Sequence, residues 1–282
     1  MPASPVREEV VVDGLATTVT TAGPATDESA VVLLHGYGAT GRYWDRLAAE
    51  IGDFARCVAP DMPGYGSASK SGGFEFTVGG YARFLNRLLD QLDVRRAHLV
   101  GHDLGVVWAL AWGALDASRV ASLVLMSLGV VPGYRWHRYA RLYRVPVLGE
   151  LVMMSAYPRG VESVLRRGSS HAPPREMVDE VMAQAHNPDT RRAALAFYRG
   201  IPDLGEVTIR AAEELPRSDL PVLAVWGAGD PYVPAVFAEQ QREYFPKAEV
   251  LVLPGSGHWP LQDDFDTVAG AVVNFLRQHV SG

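Results

Sequence analysis

The chain has 282 residues, 48% hydrophobic and 21% charged, enough to bury a substantial core in one large domain with room for an insertion. A formal net charge of -6 argues against nucleic acid, which requires a concentrated basic surface, and no apolar run reaches the ~18 residues of a membrane span. The opening stretch MPASPVREEVVV lacks the basic-then-apolar layout of a secretory signal, and Cys57 is the single cysteine, so the expected setting is cytoplasmic, with a buried thiol and no intramolecular disulfide.

In chain order, Val10 to Val12 and Leu15 to Thr21 flank Asp13-Gly14, a hairpin signal. Uninterrupted apolar runs follow at Val31 to Leu34, Cys57 to Ala59, His98 to Val100, Val120 to Met126, Val222 to Trp226 and Val250 to Leu253. Continuous rather than alternating apolarity predicts strands buried on both faces, as in a parallel sheet. Helical periodicity separates most of them; Tyr81, Phe84, Leu85, Leu88 and Leu89, for example, share one helix face. Such alternation predicts an α/β fold with a central, mainly parallel sheet. The alternation breaks once. Between Ser127 and Leu220 only helix-like stretches rich in Arg, Tyr, Met and Pro occur. The expected organisation is a core at 1–131 and 217–282, with a helical cap at 132–216 inserted over the carboxyl edge of the sheet, where α/β proteins bind ligands.

Three loop motifs sit at strand ends. Gly101-His102-Asp103-Leu104-Gly105 has the spacing of the G-x-S-x-G turn that exposes a nucleophile between a strand and a helix, with aspartate at the serine position. His35-Gly36-Tyr37-Gly38 follows the first buried run. Asp230 and His258 follow the last two, in the chain order nucleophile, acid, histidine. Each has a plainer alternative: Asp103 as a helix N-cap, Asp230 before Pro231 as a turn former. His35 and His102 read as loop braces. His98, His137, His171, His186 and His279 carry no functional pattern, and no metal-ligand spacing or phosphate-cradling glycine loop occurs, so neither metal nor cofactor is expected.

These motifs, with the loop Asp61-Met62-Pro63-Gly64-Tyr65-Gly66-Ser67, make the sequence resemble, over essentially its whole length, the α/β-hydrolases of the epoxide hydrolase and haloalkane dehalogenase branch. The resemblance implies that Asp103 is a nucleophile served by His258 and Asp230, with the backbone N–H groups of Tyr37 and Leu104 as oxyanion hole. The chemistry agrees with an aspartate there. A carboxylate is ionised at neutral pH and needs no base to attack. At an sp³ carbon bearing a leaving group it forms an ordinary ester, which water activated by histidine can cleave.

Dehalogenases of this branch hold halide with a tryptophan after the nucleophile and a second Trp or an Asn; here Leu104 and Tyr37 stand at those places. Fluoroacetate dehalogenases carry arginines around the elbow, where this chain has Leu104, Val106 and Val107. Epoxide hydrolases use two cap tyrosines. Ala196-Phe197-Tyr198-Arg199 resembles the second, Tyr143 and Tyr157 are candidates for the first, and Gly38 replaces the usual proline. The expectation is therefore an epoxide hydrolase forming a vicinal diol. Alternatives are a haloalkane or haloacid dehalogenase, a lyase or isomerase using Asp103 and His258, or a ligand-binding protein on this scaffold. Trp136, Tyr139 and Tyr143 fall three and four apart, an aromatic helix stripe turned inward that would line a pocket for a small, largely apolar substrate. Arg135, Arg138, Arg141 and Arg144 drift over another, solvated face.

Overall fold

The Asp13-Gly14 turn takes positive φ at both residues, 49° and 80°, which matches the twist of a tight hairpin and which Asp and Gly tolerate. It joins β1 (Val6–Val12) to β2 (Leu15–Ala22), with Val12 opposite Leu15. In this computed structural model, which describes residues 4–24, 28–68 and 73–280, the chain continues through β3 (Ser29–Leu34), α1 (Asp45–Gly52), β4 (Cys57–Pro60), α2 (Val78–Gln91), β5 (Arg96–His102), α3 (Leu104–Leu115) and β6 (Val120–Met126). Six helices come next: α4 (Arg138–Tyr143), α5 (Leu148–Met154), α6 (Pro158–Arg167), α7 (Arg175–His186), α8 (Pro188–Gly200) and α9 (Leu204–Glu213). Then β7 (Val222–Gly227), α10 (Val236–Tyr244), β8 (Glu249–Leu253), α11 (Pro260–Asp263) and α12 (Phe265–Val280) complete it.

The eight strands form one sheet in the order β1-β2-β4-β3-β5-β6-β7-β8, parallel from β4 to β8 and antiparallel at the β1-β2 edge. Successive residues of a strand serve opposite faces. Val31 and Leu33 pack with Leu47 and Ile51 of α1 and Val272 and Phe275 of α12. Val32 and Leu34 pack on the other side with Leu85 and Leu89 of α2 and Trp108 and Trp112 of α3. Both faces are covered, which is why the apolar runs are unbroken. Cys57 is buried in this core, and burial pushes its thiol pKa up.

Packing against the sheet is very close at the start of α3. A Cβ on Gly105 would lie 2.0 Å from the Leu34 carbonyl oxygen, so only glycine lets this helix seat directly on the sheet and hold Asp103 at its rim. The segment 132–216 divides in the structure. Helices α4 to α8 pack against one another over the loops at the carboxyl ends of the strands. Helix α9 instead lies along α3, because Leu204, Ala211 and Ala212 join the core beneath it. Among the described residues no helix is long and apolar enough to cross a membrane.

Candidate active site

Asp103 stands between β5 and α3 with φ 51° and ψ -125°, a conformation that costs a non-glycine residue about 1–3 kcal/mol. The surroundings impose it: the Asp103 N–H donates to Met126 O (3.1 Å), and its carbonyl accepts from Val106 N (3.0 Å). The side chain makes no capping bond to α3, so it is not spent as an N-cap. Instead Oδ2 accepts from the backbone N–H of Tyr37 at 3.0 Å, and Oδ1 lies 3.8 Å from His258 Nε2. Leu104 heads α3, where N–H groups have no intrahelical acceptor.

Asp230 closes β7 and does two things at once. Its Oδ1 accepts from the N–H groups of Tyr232 (2.8 Å) and Val233 (3.0 Å), forming the turn, while Oδ2 accepts from His258 Nδ1 at 2.8 Å. Both side chains are buried. Burial works to lower the His258 pKa, but the Asp230 charge, its hydrogen bond and the Asp103 charge outweigh it, so the net direction is upward from 6.5. The backbone of His258 is held on both sides: its N–H donates to Gly168 O (2.6 Å) and its carbonyl accepts from His102 Nε2 (2.7 Å). Burial drives the His102 pKa down to about 3, leaving a neutral ring that braces the elbow against the histidine loop. His35 is likewise a brace. Its Nε2 accepts from Met62 N (3.0 Å), which places the proton on Nδ1, beside Gly36 O at 2.9 Å.

Residues 29–265 match the family described as alpha/beta hydrolase fold. The chain belongs to that family. This α/β-hydrolase is 31% identical over 261 residues to the dihydrolipoyllysine-residue acetyltransferase component of the acetoin cleaving system of Pseudomonas putida; the match covers 88% of the chain but 64% of that relative's length. It is 26% identical over 268 residues to a haloalkane dehalogenase of Mesorhizobium japonicum, covering 89% and 85% of the two chains. The fold is shared with the Cif epoxide hydrolase of Acinetobacter nosocomialis, at a TM-score of 0.80 and 16% identity over 97% of this chain and 89% of that one. Haloalkane dehalogenases in sequence, and an epoxide hydrolase in fold, are thus among the proteins to which the α/β-hydrolase is similar.

On the cap side of the α/β-hydrolase, Tyr198 of α8 is 3% exposed, with its ring centroid 5.8 Å from Tyr37, 5.5 Å from Tyr143 and 5.5 Å from Trp136. Burial, and then the Asp103 charge, raise the Tyr198 pKa, and burial pushes Tyr143 up to about 12. Both phenols are therefore protonated at neutral pH. Of the two candidates for a first cap tyrosine, Tyr143 is the one brought to Tyr198; Tyr157 is 60% exposed. The expected helical stripe is corrected. His137 caps α4 with ψ 166°, so Trp136 lies ahead of the helix, yet the tertiary fold still sets it on Tyr198 beside Tyr143. Tyr139 lies further out, on the wall of a cavity of about 310 Å³ shared with Tyr37, Tyr143, Met153, Leu165 and Trp259. Asp103, Asp230, His258 and Tyr198 line neither this cavity nor a larger cleft of about 690 Å³ bounded by Arg7, Asp61 and Glu180; of the two, only the smaller reaches Tyr37. Arg144 does not stay solvated: it donates to the carbonyls of Tyr198 and Ile201 and fixes the end of α8.

Two residues that sequence reasoning passed over also belong to the α/β-hydrolase site. Asp263 accepts from Ser256 Oγ (2.9 Å) and Gly257 N (2.8 Å) through Oδ2, and from Ser169 Oγ and Ser170 N (2.9 Å) through Oδ1. It ties the histidine loop to the segment between α6 and α7. Tyr232 packs edge-on to His258 at 5.0 Å and donates to Val164 O at 2.8 Å. Neither is marked in the sequence beyond its nearness to Asp230 or His258.

Proposed function

We propose that this α/β-hydrolase opens epoxides to vicinal diols through an alkyl ester on Asp103. The observation that carries the reading is the pair of protonated phenols, buried Tyr198 and half-buried Tyr143, packed on the residue whose N–H holds Asp103. An epoxide oxygen needs a proton as the ring opens, and a positioned phenol supplies one. In the first step an Asp103 carboxylate oxygen bonds to a ring carbon, the C–O bond breaks, and Tyr198 gives its proton to the departing oxygen. Water then loses a proton to His258 and attacks the ester carbonyl carbon of Asp103. The resulting oxyanion is held by the N–H groups of Tyr37 and Leu104. Collapse returns the carboxylate and releases the diol, whose oxygen takes the carboxyl proton; the proton on His258 returns to the phenolate through solvent.

Haloalkane dehalogenation is the second reading. The buried indole Nε1 of Trp136 has no hydrogen-bond partner among the described residues, and the ring lies against Tyr198; such a donor suits a leaving halide. Single turnover in heavy-oxygen water decides the mechanism, and halide release compared with diol formation decides the leaving group. The expected product carries unlabelled oxygen in the first turnover, His258→Gln accumulates an adduct on Asp103, and Tyr198→Phe slows epoxide opening by roughly 10² or more. Solvent label in the first product would make Asp103 a base on water. Halide release faster than diol formation, and lost in Trp136→Phe, would replace the epoxide by a haloalkane.

A further inference from the structure

Among the described residues, ten large hydrophobic side chains are exposed, and six of them fall between positions 145 and 157: Val145, Val147, Leu148, Leu151, Met154 and Tyr157. Helix α5, which carries three of them, is only about 10 Å long, so they make one patch. Their exposure reaches 69% at Val147 and 58% at Leu151, far from any contribution to the core. The patch adjoins the 310 Å³ cavity, which Val152, Met153 and the exposed Tyr157 of the same stretch line.

The charge around it is equally uneven. Residues 134–167 hold seven arginines and two glutamates in a chain whose net charge is -6. Arg135, Arg138, Arg141 and Arg159 are exposed and form no ion pair among the described residues. Contiguous exposed apolar surface marks an interaction site, and apolar side chains rimmed by arginine are what an anionic lipid surface attracts and accepts.

We propose that this face of the cap docks peripherally on an anionic lipid bilayer, with the cavity turned to the membrane. Leu151 and Met154 enter the headgroup boundary and Arg138 and Arg141 meet lipid phosphates. A second copy in two-fold contact through the same patch would set one arginine-rich rim against another, which disfavours that occupant. Docking places the cavity where apolar molecules concentrate, and it holds whichever leaving group the site accepts.

The test is co-sedimentation with phosphatidylcholine vesicles, with and without phosphatidylglycerol, at low and high salt. The protein is expected to bind the anionic vesicles and to be released by salt. Arg138→Glu with Arg141→Glu should weaken binding at least ~10-fold, since each basic residue near the surface contributes about 1 kcal/mol, roughly fivefold. Leu151→Ser with Met154→Ser should weaken it comparably, with thermal unfolding unchanged in both variants. Absence of binding to anionic vesicles overturns the proposal. So does a wild-type dimer in light scattering that ignores vesicles and that Leu151→Ser with Met154→Ser converts to monomer, an outcome that assigns the patch to a second copy.

Discussion

Asp230 has both carboxylate oxygens engaged, one by two backbone N–H groups and one by His258, so it can neither rotate nor release the imidazole. This sets the pH behaviour of the second half-reaction. A general base must be neutral, and the His258 pKa is raised, so ester hydrolysis should fail as pH drops through that raised value. In Asp230→Asn the charge and the charged hydrogen bond are gone and burial, which lowers the pKa, remains. The acidic limb of the pH–rate profile should therefore move to lower pH, while the plateau rate falls roughly 10² or more. An acidic limb that stays in place would mean that Asp230 does not govern this histidine. Gly38 is legible at the same scale: its φ of 75° is closed to proline, so the loop beside Tyr37 takes a path that a proline could not.

Among elements, the short helix α11 does more than join β8 to α12. Its last residue, Asp263, holds four donors, two from the histidine loop and two from the chain between α6 and α7. From α7 of the cap, Glu180 and Gln184, one turn apart, meet Thr40 and Gly66 of the core loops. The cap is thus clamped at two places, and Asp263 also positions the catalytic candidate His258. An Asn at 263 would turn an amide donor toward an N–H or hydroxyl donor. Asp263→Asn should slow ester hydrolysis by about tenfold and leave alkylation of Asp103 unchanged, so that adduct builds up in rapid-quench mass spectrometry. Equal slowing of both steps would make the residue merely structural.

The whole molecule makes its cavity where α5, α6 and α7 meet the loops after β3 and β8, at the small end of the range for ligand pockets. Its wall at Val161 and Leu165 belongs to the cap alone. Val161→Trp should fill it and raise KM for bulky substrates by at least ~10-fold, about 1.4 kcal/mol, while small substrates keep theirs. A uniform rise across a size series would show that substrates do not occupy this space.

Buried parallel strands need apolar residues on both faces, and a strand-to-helix elbow needs Gly101 and Gly105 at fixed spacing. Requirements of that local kind are written in the sequence, and from them the parallel sheet, the run of helices between β6 and β7, and the loops bearing Asp103, Asp230 and His258 were all legible. Their meeting, at 2.8 Å between Asp230 and His258 and 3.8 Å between His258 and Asp103, was inferable only from chain order. What only the tertiary structure decided concerns residues with no local rule to obey. Trp136 lies outside its expected helix and reaches Tyr198 all the same; α9 leaves the cap because α3 offers it an apolar seat; Tyr143 rather than Tyr157 meets Tyr198; and Asp263 finds donors from a segment more than ninety residues away. Such contacts join elements distant in the chain, and periodicity along one helix carries no information about which other helix will cover it.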